Sequence, residues 1–276
     1  MARSVGIVEG IRFVACGAET RMLARFRFEP HLFRRRSLLL PDTNADPFLA
    51  RVAQAAREGL ECSPACHDWD HTLRVWANAR RICELEGGDA LVVDCASLLH
   101  DIGRPEELAN QGVTCHAQRG AELTRELLPE LGLTNRATIE HIAACVLTHR
   151  FRARNGDLPE SLEARIVFDA DKLDSIGAIG IGRSFHFAGR IGSRVHNAAE
   201  EAQASASYSR QDSAYREYLV KLRHIRQRLL TDAGRRLAEG RHRFMVAFFE
   251  QIDREVRGED LLAPKDNLEN PESGLL

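Results

Sequence analysis

The sequence predicts an all-α fold, a single helical domain over residues 46–257. Three observations predict it. Apolar residues recur at helical spacing in one segment after another, start and stop signals bracket those segments, and neither a long β-alternation nor a repeat appears.

In chain order, Asp46-Pro47 is a cap followed by proline at the first helical position, which predicts a helix to about residue 61. Residues 70 to 86 space Leu73, Trp76, Ala77 and Ile82 helically before Gly87-Gly88 stops them. The apolar run 90–99 has Asp89 to cap it and Gly103 to end it. A helix over 117–128 is expected to stop near Pro129. Thr134 is expected to cap the next, whose stripe is Ile139, Ile142, Ala143, Val146 and Leu147. Residues 150–159 read as a loop turning at Asn155-Gly156. Ser161 opens a run through Ile166, Val167 and Leu173, and the small-residue stretch 177–182 suits close helix packing. Residues 196–213, rich in Ala, Ser, Glu and Gln, read as a mobile loop, and two long helices over 213–230 and 232–256 close the domain.

The flanks differ in composition. Residues 1–45 form an Arg-rich extension, with eight Arg against three Glu in the first 36, expected to be poorly ordered rather than an arm for an acidic partner. Residues 258–276 form an acidic, irregular tail. A formal net charge of -2 gives no basic field for nucleic acid, and 44% apolar residues suffice for a sizeable core. No apolar stretch is long enough for a bilayer, and no signal-peptide layout follows Arg3, so a cytoplasmic protein is expected. The seven cysteines lack a regular framework. Cys83, Cys95 and Cys145 fall in helical patterns as small core residues.

Chemistry concentrates at helix ends. The apolar run 90–99 leads straight into His100-Asp101, neither of which gains from an apolar neighbourhood unless something binds it. A divalent cation would, and a capped His beside a solvated Asp would satisfy the same dipeptide. His71 begins a helix four residues after His67, His116 begins another, and His149 ends one. Asp169, Asp171 and Asp174 crowd with Lys172 into six residues, where like charges repel unless a cation or the lysine intervenes.

His71, then His100-Asp101, then Asp171 resembles the H…HD…D signature of the HD-domain metal-dependent phosphohydrolases. The segments 67–75 and 169–183 resemble the opening and closing motifs of the stand-alone YedJ/YpgQ-like branch, with the similarity covering about residues 46–256. The resemblance implies an HD-type helical bundle in which His71, His100, Asp101 and Asp171 bind a divalent metal. It implies that His116 and His149 bind substrate phosphate, or a second metal as in binuclear relatives. Two departures stand out. The first 36 residues have no counterpart in compact relatives, and Ala214 or Tyr215 stands where relatives often carry a His in the penultimate helix.

A donor set of two His and two Asp without Cys suits Mn, Mg, Fe, Ni or Zn, which would neutralise phosphoryl oxygens and activate a water. Asp101 is therefore both ligand and catalytic group. Asp68 is expected to orient a ligand His or accept a proton, or else to stand as a helix-start carboxylate. Lys172 is expected to meet a phosphate as a point charge. Arg74, Arg104, Arg150 and Arg183 are forked phosphate binders in reach by sequence, although an Arg on a helix more often pairs with a neighbouring carboxylate. The expected function is a metal-dependent phosphohydrolase of a nucleotide or small phosphorylated metabolite, with nucleoside triphosphate pyrophosphohydrolysis as the specific form. A non-catalytic nucleotide- or phosphate-binding sensor and a cyclic-nucleotide phosphodiesterase are the alternatives. A homo-oligomer is left open.

Overall fold

A computed structural model describes residues 46–60, 68–110, 112–150 and 158–259. The expected extension over 1–45, His67, the turn at Asn155-Gly156 and nearly all of the 258–276 tail lie outside the described residues. Every regular element among the described residues is helical: α1 (Pro47–Gly59), α2 (Trp69–Glu86), α3 (Ala90–Leu99), α4 (Arg104–Ala109), α5 (His116–Glu130), α6 (Arg136–Thr148), α7 (Leu162–Leu173), α8 (Gly177–Arg190), α9 (Ala199–Ala204), α10 (Ala214–Val220) and α11 (Asp232–Arg257).

Capping sets most of these starts. The Asp46 carboxylate accepts from the Phe48 and Leu49 N–H groups, Asp89 from Leu91 and Val92, and Ser161 from Ala164. Two apolar clusters hold the bundle. One gathers Trp76, Leu98, Leu99, Leu128, Ile142 and Val146, and the other Ile82, Ile166, Leu173, Tyr218, Met245 and Phe249. Helices α2 and α7 contribute to both, so they run between the two halves. Truncating fully buried Leu98 or Ile142 to Ala would cost about 2–5 kcal/mol.

The site's location follows from hairpin topology. Helices α2 and α3 pack together and are joined by only Gly87, Gly88 and Asp89, with positive φ at both glycines. The start of α2 therefore lies by the end of α3. Helices α5 and α6 form a second such hairpin, which places the start of α5 by the end of α6. Helix α7 packs on α2 and ends where α2 begins, so five helix ends meet on one side of the bundle.

Several expectations need correction. Gly103 does not end α3; it precedes α4, a helix the apolar pattern did not show. A Cβ there would sit 2.7 Å from the Gly120 nitrogen and closer still to the His116 carbonyl, so glycine permits the close approach of this corner to α5. Asn135, not Thr134, caps α6, whereas α5 ends at Glu130, next to Pro129, as expected. The 196–213 segment contains α9 and a hydrogen-bonded loop. The expected helix over 213–230 breaks at Lys221 into α10 and two 3₁₀ turns, which still direct Leu222, Ile225 and Leu229 inward.

Candidate metal centre and adjoining cavity

Four imidazoles converge on Asp101. His71, from the first turn of α2, and His100, which caps the end of α3, place their Nε2 atoms 3.8 and 3.7 Å from Asp101 Oδ2. His116, first in α5, and His149, which caps the end of α6, place theirs 3.6 Å from Asp101 Oδ1. Asp171, in the last turn of α7, adds Oδ1 at 3.5 Å from His71 Nε2. All four histidines and Asp101 are buried.

Each ring is oriented by its other nitrogen. His100 Nδ1 donates to the Ser97 carbonyl at 2.8 Å and His149 Nδ1 to the Val146 carbonyl at 2.6 Å. A carbonyl only accepts, so these contacts place a proton on Nδ1, and in the neutral ring Nε2 is then the lone-pair donor. His71 Nδ1 faces Asp174 Oδ2 and His116 Nδ1 faces Glu107 Oε2, both at 2.7 Å, with the same consequence for an ionised carboxylate. Burial, with Arg183 nearby, lowers the His71 pKa to about 3; burial lowers that of His116 to about 4 against the opposing pull of Glu107. Both rings are therefore neutral near pH 7. His71 and His100 then point two lone pairs at each other across 3.3 Å, and His116 Nε2 is buried without a hydrogen-bond partner. This arrangement is costly alone and fits a divalent cation. The sets His71, His100, Asp101 and Asp101, His116, His149 each bring their donor atoms within 4.8 Å of one another.

Carboxylates outside the cluster position it. Asp174 holds His71 and is itself clamped by Arg74 (Nε to Oδ1, 2.7 Å) and Arg183 (Nη1 to Oδ2, 2.9 Å). Glu107, from α4, holds His116 and accepts from Arg104 Nη1 at 2.9 Å. Burial disfavours its charge, but His116, Arg104 and Arg150 outweigh burial and bring its pKa down to about 2. Burial likewise opposes the Asp171 carboxylate, and Lys172 with His100 and His71 still hold its pKa well below the usual range. Lys172 is buried against Asp171, and burial lowers its pKa. Asp169 turns away, accepting from the Leu230 and Thr231 N–H groups at the start of α11.

A cavity of about 310 Å³ opens from this cluster. Its inner end is formed by His116, His149, Asp171, Lys172, Arg104 and Arg183, and Arg150 joins that wall. Arg74 is not among its lining residues: Nε and Nη2 of its guanidinium bond Asp174, the carboxylate that holds His71. Asp68 caps α2 by accepting from the His71 N–H at 2.9 Å. Arg104 lines the cavity while bound to Asp101 at 2.8 Å. Sequence reasoning missed Glu107, although Pro105 followed by two acids is a helix-start signature that would have exposed α4. Asp174 was noticed only as a crowded carboxylate. Neither Ala214 nor Tyr215 faces the cluster; both pack in the core, with the Tyr215 hydroxyl on Asp253.

The HD domain family model matches residues 68–176, which contain every donor above. The Bacillus subtilis (strain 168) protein YpgQ is 32% identical over 197 residues, 70% of this chain and 86% of its own. The crystal structure of B. subtilis YpgQ in complex with ADP superposes with a TM-score of 0.60 at 26% identity, covering 77% of this chain and all of that one. The crystal structure of a predicted HD superfamily hydrolase from an uncultured Thermotogales bacterium gives a TM-score of 0.55 at 28% identity, covering 78% of this chain and 98% of that one. Among the described residues, no helix is long and apolar enough to cross a membrane.

Proposed function

The chain belongs to the HD-domain family, in the branch that contains YpgQ, and on that footing we propose that it is a divalent-metal-dependent phosphohydrolase of nucleotides, with nucleoside triphosphates cleaved to release pyrophosphate as its specific form. The observation that carries this reading is the ring of four imidazoles, each with Nδ1 engaged and Nε2 turned toward Asp101, two of which, His116 and His149, line a cavity together with Arg104, Arg150, Arg183 and Lys172. ADP in the YpgQ crystal supports a phosphorylated ligand for this cavity too.

His71, His100, Asp101 and Asp171 would hold the cation. A bound divalent cation supplies charge neutralisation on phosphoryl oxygens and lowers the pKa of a water into the neutral range. The chain's own groups do the rest. His116 and His149, at the cavity's inner end, are placed to take a proton from an attacking water and, once protonated, to pass it toward a leaving oxygen. Arg150 has Glu107 at 3.7 Å and the Cys115 sulfur at 3.2 Å as its recorded partners, so it gains most from a phosphoryl group. Arg104 and Lys172 already neutralise Asp101 and Asp171, and they bring positive charge to the cavity wall without leaving those carboxylates. Asp68 and Arg74 act behind the site, through His71.

The test is incubation of purified protein with Mn²⁺ and a nucleotide panel, with phosphate and pyrophosphate assayed separately. Pyrophosphate release from one or more triphosphates, lost on chelation, is expected. Binding without product from any substrate would make the protein a sensor instead.

A further inference from the structure

The cavity's outer end differs from its inner end. There Phe187 of α8 and Tyr208 form the wall, with ring centroids 5.7 Å apart at an interplanar angle of 73°. Tyr208 has φ +63°, and among the described residues it is the non-glycine residue with positive φ. A bulky residue pays for that backbone, which Gly or Asn would adopt more cheaply. Its ring recovers little by burial, since the residue is 77% exposed. The loop is nonetheless fixed. Buried Asp212 accepts from the Tyr208 N–H at 2.6 Å and from Arg216 at 3.0 Å, while Arg216 also donates to the Ser205 carbonyl. A second loop contact runs from the Ser213 hydroxyl to Asn197.

A rigid loop that holds an aromatic ring in water, at the mouth of a cavity whose other end is cationic, is explained by a ligand with an anionic head and a planar tail. We infer that Tyr208, with Phe187 set edge-on against it, is the stacking surface for the nucleobase, and that this subsite separates nucleotides from bare polyphosphates. The inference rests on the phosphohydrolase reading for the inner end of the cavity. Base-on-aromatic stacking is worth about 1–3 kcal/mol, which is roughly five- to 150-fold in affinity.

The experiment is calorimetric titration of the full chain in Mn²⁺ buffer with two probes, ADP and inorganic pyrophosphate. Wild type is expected to bind ADP more tightly than pyrophosphate. Tyr208→Gly, which keeps the backbone conformation and removes the ring, is expected to reduce the ratio of ADP to pyrophosphate affinity about tenfold without lowering the Tm. Tyr208→Phe is expected to restore the ratio. An unchanged ratio in Tyr208→Gly, or equal wild-type affinities for the two probes, would overturn the stacking subsite and leave the phosphohydrolase reading standing. Binding of neither probe would overturn both.

Discussion

Two triads share Asp101, and they are built differently. On the Oδ2 side, His71 and His100 are joined by Asp171, and His71 is locked by an Asp174 that two arginines clamp. On the Oδ1 side, His116 and His149 have Arg104 beside them, and both line the cavity. Each side carries a cation, Lys172 on Asp171 in the first and Arg104 on Asp101 in the second, but only the second side turns its histidines into the cavity, where the first offers Asp171 alone. On the proposed reading, that carboxylate, Asp101, divides a cation-holding half from a substrate-facing half. If that reading holds, histidines of one type take different roles according to which groups stand next to them.

The largest expected effect breaks both halves. Asp101→Ala should abolish turnover, by about a thousandfold or more, with helical circular dichroism retained; residual activity near wild type would end the shared-carboxylate picture. Next, His116→Ala should lower kcat about a hundredfold while elemental analysis finds the metal retained, whereas His71→Ala should lose the metal. If both variants lose the metal alike, the division is wrong. A smaller effect is expected from Asp174→Asn, which loosens His71: metal affinity should fall about ten- to a hundredfold, measured by competition with a chelating dye. Glu107→Gln, the matching change on the other side, should alter kcat and leave metal affinity nearly as it was.

The smallest effect is a pH dependence of the metal-free protein. His71 and His116 have folded pKa values of about 3 and about 4 against an ordinary 6.5, so between pH 6.5 and 4 the unfolded chain takes up protons that the folded chain refuses. The unfolding free energy of chelated protein should therefore decrease as pH falls from about 6.5, and denaturant melts at pH 7, 6 and 5 measure it. A flat profile would mean that these rings are not buried neutral.

Much of this arrangement was legible in the sequence, because the donors stand where apolar helical runs end. His100-Asp101 follows such a run directly, and His71 and His149 sit at the ends of two others. Cap residues made α1, α3 and α7 readable to within a residue or two. Other features left no such mark. Helix α4 has six residues and no apolar period, so only the start signal at Pro105 points to it and to Glu107. The spacing of Leu219, Leu222, Ile225 and Leu229 suits a long helix as well as the 3₁₀ turns that replace it. Arg74 illustrates a general limit: spacing tells that an arginine is near, and only the fold tells which carboxylate claims it.

The most direct test of the central claim is the position of a metal in a crystal of the protein soaked with Mn²⁺. The account predicts an anomalous scattering peak bonded at about 2.0–2.3 Å to His71 Nε2, His100 Nε2, an Asp101 oxygen and Asp171. A peak elsewhere in the molecule, with these four side chains bare, would contradict it.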